Sequence, residues 1–136
     1  MVPARANTIV IADDFAAFRR LVRSMLQESG FQNVAEAADG LEAVAKAAKL
    51  QPDLVLLDIG MPNVDGIKAA AQICSIAPES RILFVSQNTD PDVVQSALSD
   101  GARGYICKSD ISRELLPAIE AVLGGKRFVG AVLHRI

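Results

Sequence analysis

The sequence predicts an α/β domain built on an open parallel sheet with helices on both faces, and three observations predict it. Short, continuously apolar, β-branched runs alternate with stretches of helical periodicity, giving five strands and five helices. Parallel strands need crossover connections, and the intervening helices supply them. The chain has 136 residues, one domain's worth and too few for two ordinary cores.

The first strand is predicted over 8–12, where Thr8-Ile9-Val10-Ile11-Ala12 reads as a fully buried run. The period then changes. Phe18, Leu21, Val22, Met25 and Leu26 share one helical face, Arg19, Arg20 and Arg23 fall on the outer side, and Gly30 ends the helix. A second strand over 33–38 leads to a helix whose face is read as Leu41, Val44, Ala45 and Ala48, stopped by Gln51-Pro52. Leu54 to Leu57 form strand three, the turn sequence Met61-Pro62-Asn63-Val64-Asp65-Gly66 follows, and 67–76 is helical. Strand four covers 81–85, a helix covers 91–99, and Gly104-Tyr105-Ile106-Cys107 is strand five. Ser112, with Glu114 nearby, is read as the N-cap of a last helix whose face is Leu115, Leu116, Ile119, Val122 and Leu123; Pro117 inside it predicts a bend.

Right-handed crossovers leave few topologies, and the flavodoxin-like order 2-1-3-4-5 is the common one for five strands. That order binds ligands outside the carboxyl ends of strands 1 and 3. Composition excludes several other classes. Half the residues are apolar (51%) but only 4% are aromatic and none is Trp, so the core is expected to be Ala, Val, Ile and Leu. Fourteen Lys plus Arg against sixteen Asp plus Glu leave no basic footprint for nucleic acid and no acidic tail. Cys74 and Cys107 have neither CxxC spacing nor clustered His, so no disulfide or zinc site is expected and a reducing cytoplasm fits. Asp13 and Asp14 interrupt the first apolar stretch, so neither a signal peptide nor a membrane span is expected.

The carboxyl edge holds the candidate chemistry. Asp13-Asp14 follow strand 1, Asp58 follows strand 3, Ser86 follows strand 4 and Lys108 follows strand 5. Singly, each has an ordinary reading: a strand-terminal Asp or Ser caps a helix or forms a turn, and a loop Lys lies solvated with its stem on Tyr105. Asp39, after strand 2, is assigned no part in the pocket. Jointly they converge, and three carboxylates brought together repel by about 4 kcal/mol per pair at ~4 Å and an effective dielectric near ~20. A hard divalent cation such as Mg²⁺ offsets that while keeping coordination sites for water and phosphate oxygens, and Lys108 adds a second positive charge. With the Ser86 hydroxyl as a donor, the set suits phosphoryl transfer to an aspartate.

These residues resemble the receiver domain of two-component response regulators over 8–125, which implies the CheY-like form of the sheet. The resemblance rests on Ile11-Ala12-Asp13-Asp14, on Leu56-Leu57-Asp58-Ile59-Gly60-Met61-Pro62-Asn63-Val64-Asp65-Gly66, on Val85-Ser86, and on Gly101-Ala102-Arg103-Gly104-Tyr105-Ile106-Cys107-Lys108. It implies that Asp58 takes phosphate from a sensor histidine kinase. It also implies that Asp14, Asp58 and the Gly60 carbonyl ligate Mg²⁺, with Asp13 acting through a water. Lys108 would pair with the phosphate, and Ser86 and Tyr105 would switch rotamer together. Such a domain is no enzyme beyond its own phosphorylation and dephosphorylation.

Two positions depart from the common pattern: Gln87 stands where a small residue is usual and is expected to modulate access, and Gly60 offers no side chain to a hydrolytic water. The 101–105 wording and the 114–125 tail resemble the subclass with a LuxR/NarL-type helix-turn-helix output domain. The expected division is a receiver over 1–125, with 126–136 an extension or the start of a linker to such a domain, which is absent from this chain; contact with DNA would need it. A homodimer on phosphorylation is a further expectation. Two rival readings stay open: an aspartate-nucleophile phosphatase, which would want an acid at position 60, and a receiver-like interaction module that never takes phosphate.

Overall fold

The computed structural model describes residues 2–135, so Met1 and Ile136, the ends of the expected 1–125 and 126–136 segments, lie outside the described residues. Eight-residue β1 (Arg5–Ala12) is followed by α1 (Ala16–Glu28), β2 (Phe31–Ala37), α2 (Gly40–Leu50), β3 (Leu54–Leu57) and α3 (Gly66–Ile76). Then come β4 (Arg81–Ser86), α4 (Pro91–Ser99), β5 (Gly104–Cys107), a 3-10 turn at Lys108–Asp110 and α5 (Ile111–Leu123). The strands are parallel in the order β2-β1-β3-β4-β5-β6, the flavodoxin-like arrangement with one strand added.

The added strand β6 (Phe128–Val129) lies in the segment read as an extension. It pairs with β5 at Gly104 and Tyr105, the Gly130 amide donates to the Tyr105 carbonyl, and a 3-10 helix at Ala131–Arg135 buries Leu133 in the core. Two residues carry no readable period, so only the paired edge of β5 reveals them as a strand.

Two cores flank the sheet. On one side Val22 and Leu26 of α1 and Leu115, Ala118, Ile119 and Val122 of α5 meet Ile9, Ile11, Leu54, Leu56, Leu83, Val85 and Ile106. On the other, α2, α3 and α4 cover Val10, Val55, Leu57, Ile82, Phe84 and Tyr105. Alternation along β3, β4, β5 and the second half of β1 sends successive side chains to opposite cores, which is why these stretches read as apolar runs, whereas border strand β2 keeps Gln32 and Asn33 exposed.

Three expected details are corrected. The buried face of α2 is Gly40, Ala43 and Ala47, with Leu41 57% exposed, because the helix presses its small residues close against neighbouring chain. Leu21 of α1 is likewise exposed. Ser112 is not a cap: the 3-10 turn starts the helical path earlier and α5 begins at Ile111, with Pro117 lying inside it. No helix among the described residues is long and apolar enough to cross a membrane.

Candidate functional site

Four parallel strands end side by side, which brings Asp13, Asp58, Ser86 and Lys108 together as their positions predict. Asp58 is 8% exposed. Its Oδ1 accepts the Ile59 amide at 2.8 Å, while Lys108 Nζ stands 3.2 Å from its Oδ2. Lys108 also lies 2.6 Å from Oδ2 of Asp13, which is 2% exposed, so one ammonium bridges two buried carboxylates. The Asp13 contact is the shorter of the two, and Lys108 is that buried oxygen's one partner among the described residues. The other Asp13 oxygen accepts the Phe15 amide at 2.9 Å.

The electrostatics follow from burial and pairing. Burial pushes the Asp13 carboxyl up, Lys108 and the Phe15 amide pull it back only in part, and the nearby Asp58 charge adds to the rise. Burial alone would lower the Lys108 ammonium, but Asp13 and Asp58 outweigh it and hold it above the ordinary lysine value. Phe18 adds an aromatic face 4.4 Å from Lys108 Nζ, a cation–π contact in a desolvated setting.

Asp14 is exposed and faces the same cleft, about 250 Å³, bordered by Phe15, Asp58, Gly60, Ser86, Gln87 and Lys108. Gln87 borders that cleft, and Gly60 is exposed with open space where a side chain would stand. One carboxylate oxygen from each of Asp13, Asp14 and Asp58 lies within 4.8 Å of the others. Three carboxylates against one ammonium leave a formal charge of −2, and the donors are all hard oxygen. That residue set fits a divalent cation such as Mg²⁺.

Ser86 is buried, and its Oγ accepts the Asn88 amide at 3.1 Å. Tyr105 is fully buried, with its hydroxyl donating to the Asn88 carbonyl at 2.5 Å. Burial raises the Tyr105 phenol, Ser86 opposes the rise, and Asp58 and Cys107 add to it. The expected Ser86 and Tyr105 pair is thus joined through the backbone of a residue the sequence did not single out.

Other supporting residues were also missed. A Cβ on Gly66 would sit 2.0 Å from the Asp58 carbonyl oxygen, so only glycine lets the start of α3 lie against the residue ending β3. Gly40 plays the same part toward the Val64 carbonyl, and Asn63 donates to Asp39 at 2.8 Å, tying the β3–α3 loop to α2. Asp39, outside the pocket as expected, caps α2 through the Glu42 amide. Close backbone approaches have no local signature beyond the glycine itself.

Sheet order and cleft together define an α/β domain of the flavodoxin-like class with an acidic, cation-ready site at its switch point. The family model described as "Response regulator receiver domain" matches residues 9–120, and the chain belongs to that family. It is 40% identical over 133 residues to the transcriptional regulatory protein PdtaR of Mycobacterium tuberculosis, covering 96% of this chain and 62% of that one. It is 37% identical over 112 residues to the chemotaxis protein CheY of Listeria monocytogenes, covering 82% and 94%. Among solved structures, a LuxR-family two-component response regulator from Aurantimonas superposes with a TM-score of 0.90 at 32% identity, covering 96% and 94%. The chain thus spans less than two thirds of the transcription regulator's own length and nearly all of the chemotaxis protein's.

Proposed function

We propose that the domain is a phosphorylation switch that takes a phosphoryl group on Asp58 from the phosphohistidine of a sensor kinase. The observation that carries this reading is Lys108, bridging two buried carboxylates that have no neutral reason to be together. Asp14, Asp58 and the Gly60 carbonyl would hold Mg²⁺, with Asp13 reaching it through water; when bound, the ion neutralises charge on the phosphoryl oxygens. Lys108 is positioned to pair with a phosphoryl oxygen, and the Ser86 hydroxyl keeps a proton to donate to it. The Asn88 backbone, bonded to both Ser86 and Tyr105, would carry the change to the β4–α4 loop. The phosphoryl group would carry about two negative charges in place of the one on the Asp58 carboxylate, a net gain of about one at a site already crowded with carboxylates, and the loops would rearrange to accept it.

Catalysis beyond self-phosphorylation and self-dephosphorylation is not part of this reading, because position 60 offers no acid or base. The output is transcriptional, by analogy with the regulators it resembles, and a phosphorylated homodimer would serve it. The test is incubation with Mg²⁺ and acetyl phosphate followed by intact mass. One phosphoryl adduct on the wild type is expected, and none on Asp58→Asn. An unmodified wild type that also ignores beryllofluoride would favour a phosphate-independent interaction module, and steady turnover of phosphate esters would favour a phosphatase.

A further inference from the structure

Asp14 presents the most exposed carboxylate of the acidic group, and it has no hydrogen-bond or ion-pair partner among the described residues. Its placement therefore depends on the main chain that carries it. That main chain is held on both sides of the preceding residue: the Asp13 amide donates to the Ala37 carbonyl at 3.0 Å, and the Asp13 carbonyl accepts Nη1 of Arg19 at 2.7 Å. The Asp13 carbonyl and the Asp14 amide belong to one planar peptide unit, so fixing the carbonyl fixes the direction in which Asp14 leaves the strand.

Arg19 is itself anchored. Its Nε donates to Glu36 Oε1 at 2.9 Å, and the side chain is only 16% exposed. The second Glu36 oxygen takes Nε of Arg23 at 2.8 Å, one helical turn further along α1. Arg23 directs a second donor, Nη2, elsewhere, to the Val34 carbonyl at 2.9 Å. The two arginines thus share a helix and a carboxylate, and only one of them reaches the acidic loop.

We infer that Arg19 is a positioning residue for the cation site, holding the Asp13–Asp14 peptide against Glu36 so that Asp14 faces Asp58. The inference rests on the cation reading above. The guanidinium suits the task because its planar fork serves two acceptors in a fixed relation, whereas a lysine at the same place is a point charge on a flexible stem that does not fix their spacing. Outer groups that orient metal ligands typically affect affinity by about 10- to 100-fold.

The experiment is calorimetric titration of the full chain with Mg²⁺, alongside thermal unfolding without the ion, for the wild type, Arg19→Ala, Arg23→Ala, Arg19→Lys and Glu36→Gln. Arg19→Ala is expected to weaken Mg²⁺ binding about tenfold. Arg23→Ala loses an ion pair to the same carboxylate and is expected to unfold earlier with unchanged Mg²⁺ affinity. Arg19→Lys and Glu36→Gln keep half of the bridge and fall between, and they carry the test if Arg19→Ala does not fold. Equal weakening by Arg19→Ala and Arg23→Ala, or none by either, overturns the positioning role while leaving the cation site standing. A wild type that binds no Mg²⁺ overturns the cation reading and this inference with it.

Discussion

The two ends of the sheet use similar residues in opposite ways. At the amino end, polar groups meet backbone partners: Asp53 accepts the Thr8 amide at 2.8 Å while its own amide and carbonyl bond Thr8 and Arg81, the Ser80 hydroxyl donates to the Pro52 carbonyl, and Arg81 donates to the Leu123 carbonyl at 2.8 Å. At the carboxyl end, Asp13 and Asp58 meet each other across one lysine, so two buried carboxylates share a single positive charge. Satisfied bonds hold strands in register; unbalanced charge is what the proposed cation and phosphoryl group would answer.

The contrast is sharpest at Asp58. Asp58→Asn should abolish phosphoryl acceptance completely and yet leave the ion-free protein as stable or more so, by about 1 kcal/mol, since one carboxylate then pairs with one ammonium. A clear loss of stability in ion-free thermal unfolding would show that the cluster is held together by Lys108 instead of strained by its charges. Ser80→Ala is the mirror experiment. It should cost about 1 kcal/mol by leaving the buried Pro52 carbonyl unpaired, with no change in the rate of modification by acetyl phosphate; a slower rate would mean that the two ends are mechanically coupled.

The smallest effect concerns Glu36, at the margin of the acidic end. Burial would raise its carboxyl, but Arg23 and Arg19 outweigh that and hold it below the ordinary value of 4.5. A depressed carboxyl contributes stability that is present above its unfolded value and lost as pH falls through its folded one. Glu36→Gln should therefore flatten the acid limb of stability below about pH 4.5 in chemical unfolding. An unchanged acid limb would mean the pair is too screened to matter.

The acidic end was legible in sequence because each strand that feeds it finishes in an apolar run that stops at a polar residue, so the position of Asp13, Asp58, Ser86 or Lys108 follows from counting. The parts that were not legible have physical reasons. Alanine-rich α2 gives no contrast between faces, so Leu41 drew the reading toward the wrong side of Gly40, Ala43 and Ala47. Arg19 reads as an ordinary outer-face charge because its partner in the acidic loop is a carbonyl, and carbonyls are the same at every residue. Asn88 escaped notice likewise, since its backbone joins Ser86 to Tyr105 while its side chain only accepts the Asp90 amide.

The two-residue β6 bears on how the molecule behaves among many copies of itself. By pairing with Gly104 and Tyr105 it ends the sheet on that side with a strand too short to template another. The opposite border, β2, is longer, but there Gln32 and Asn33 are exposed, the Asn33 amide turns inward to the Ala6 carbonyl, and Lys46 occupies the Glu36 carbonyl. A lysine at one border and a stub at the other discourage edge-to-edge growth, which helps a domain with so apolar a core remain dispersed at high concentration.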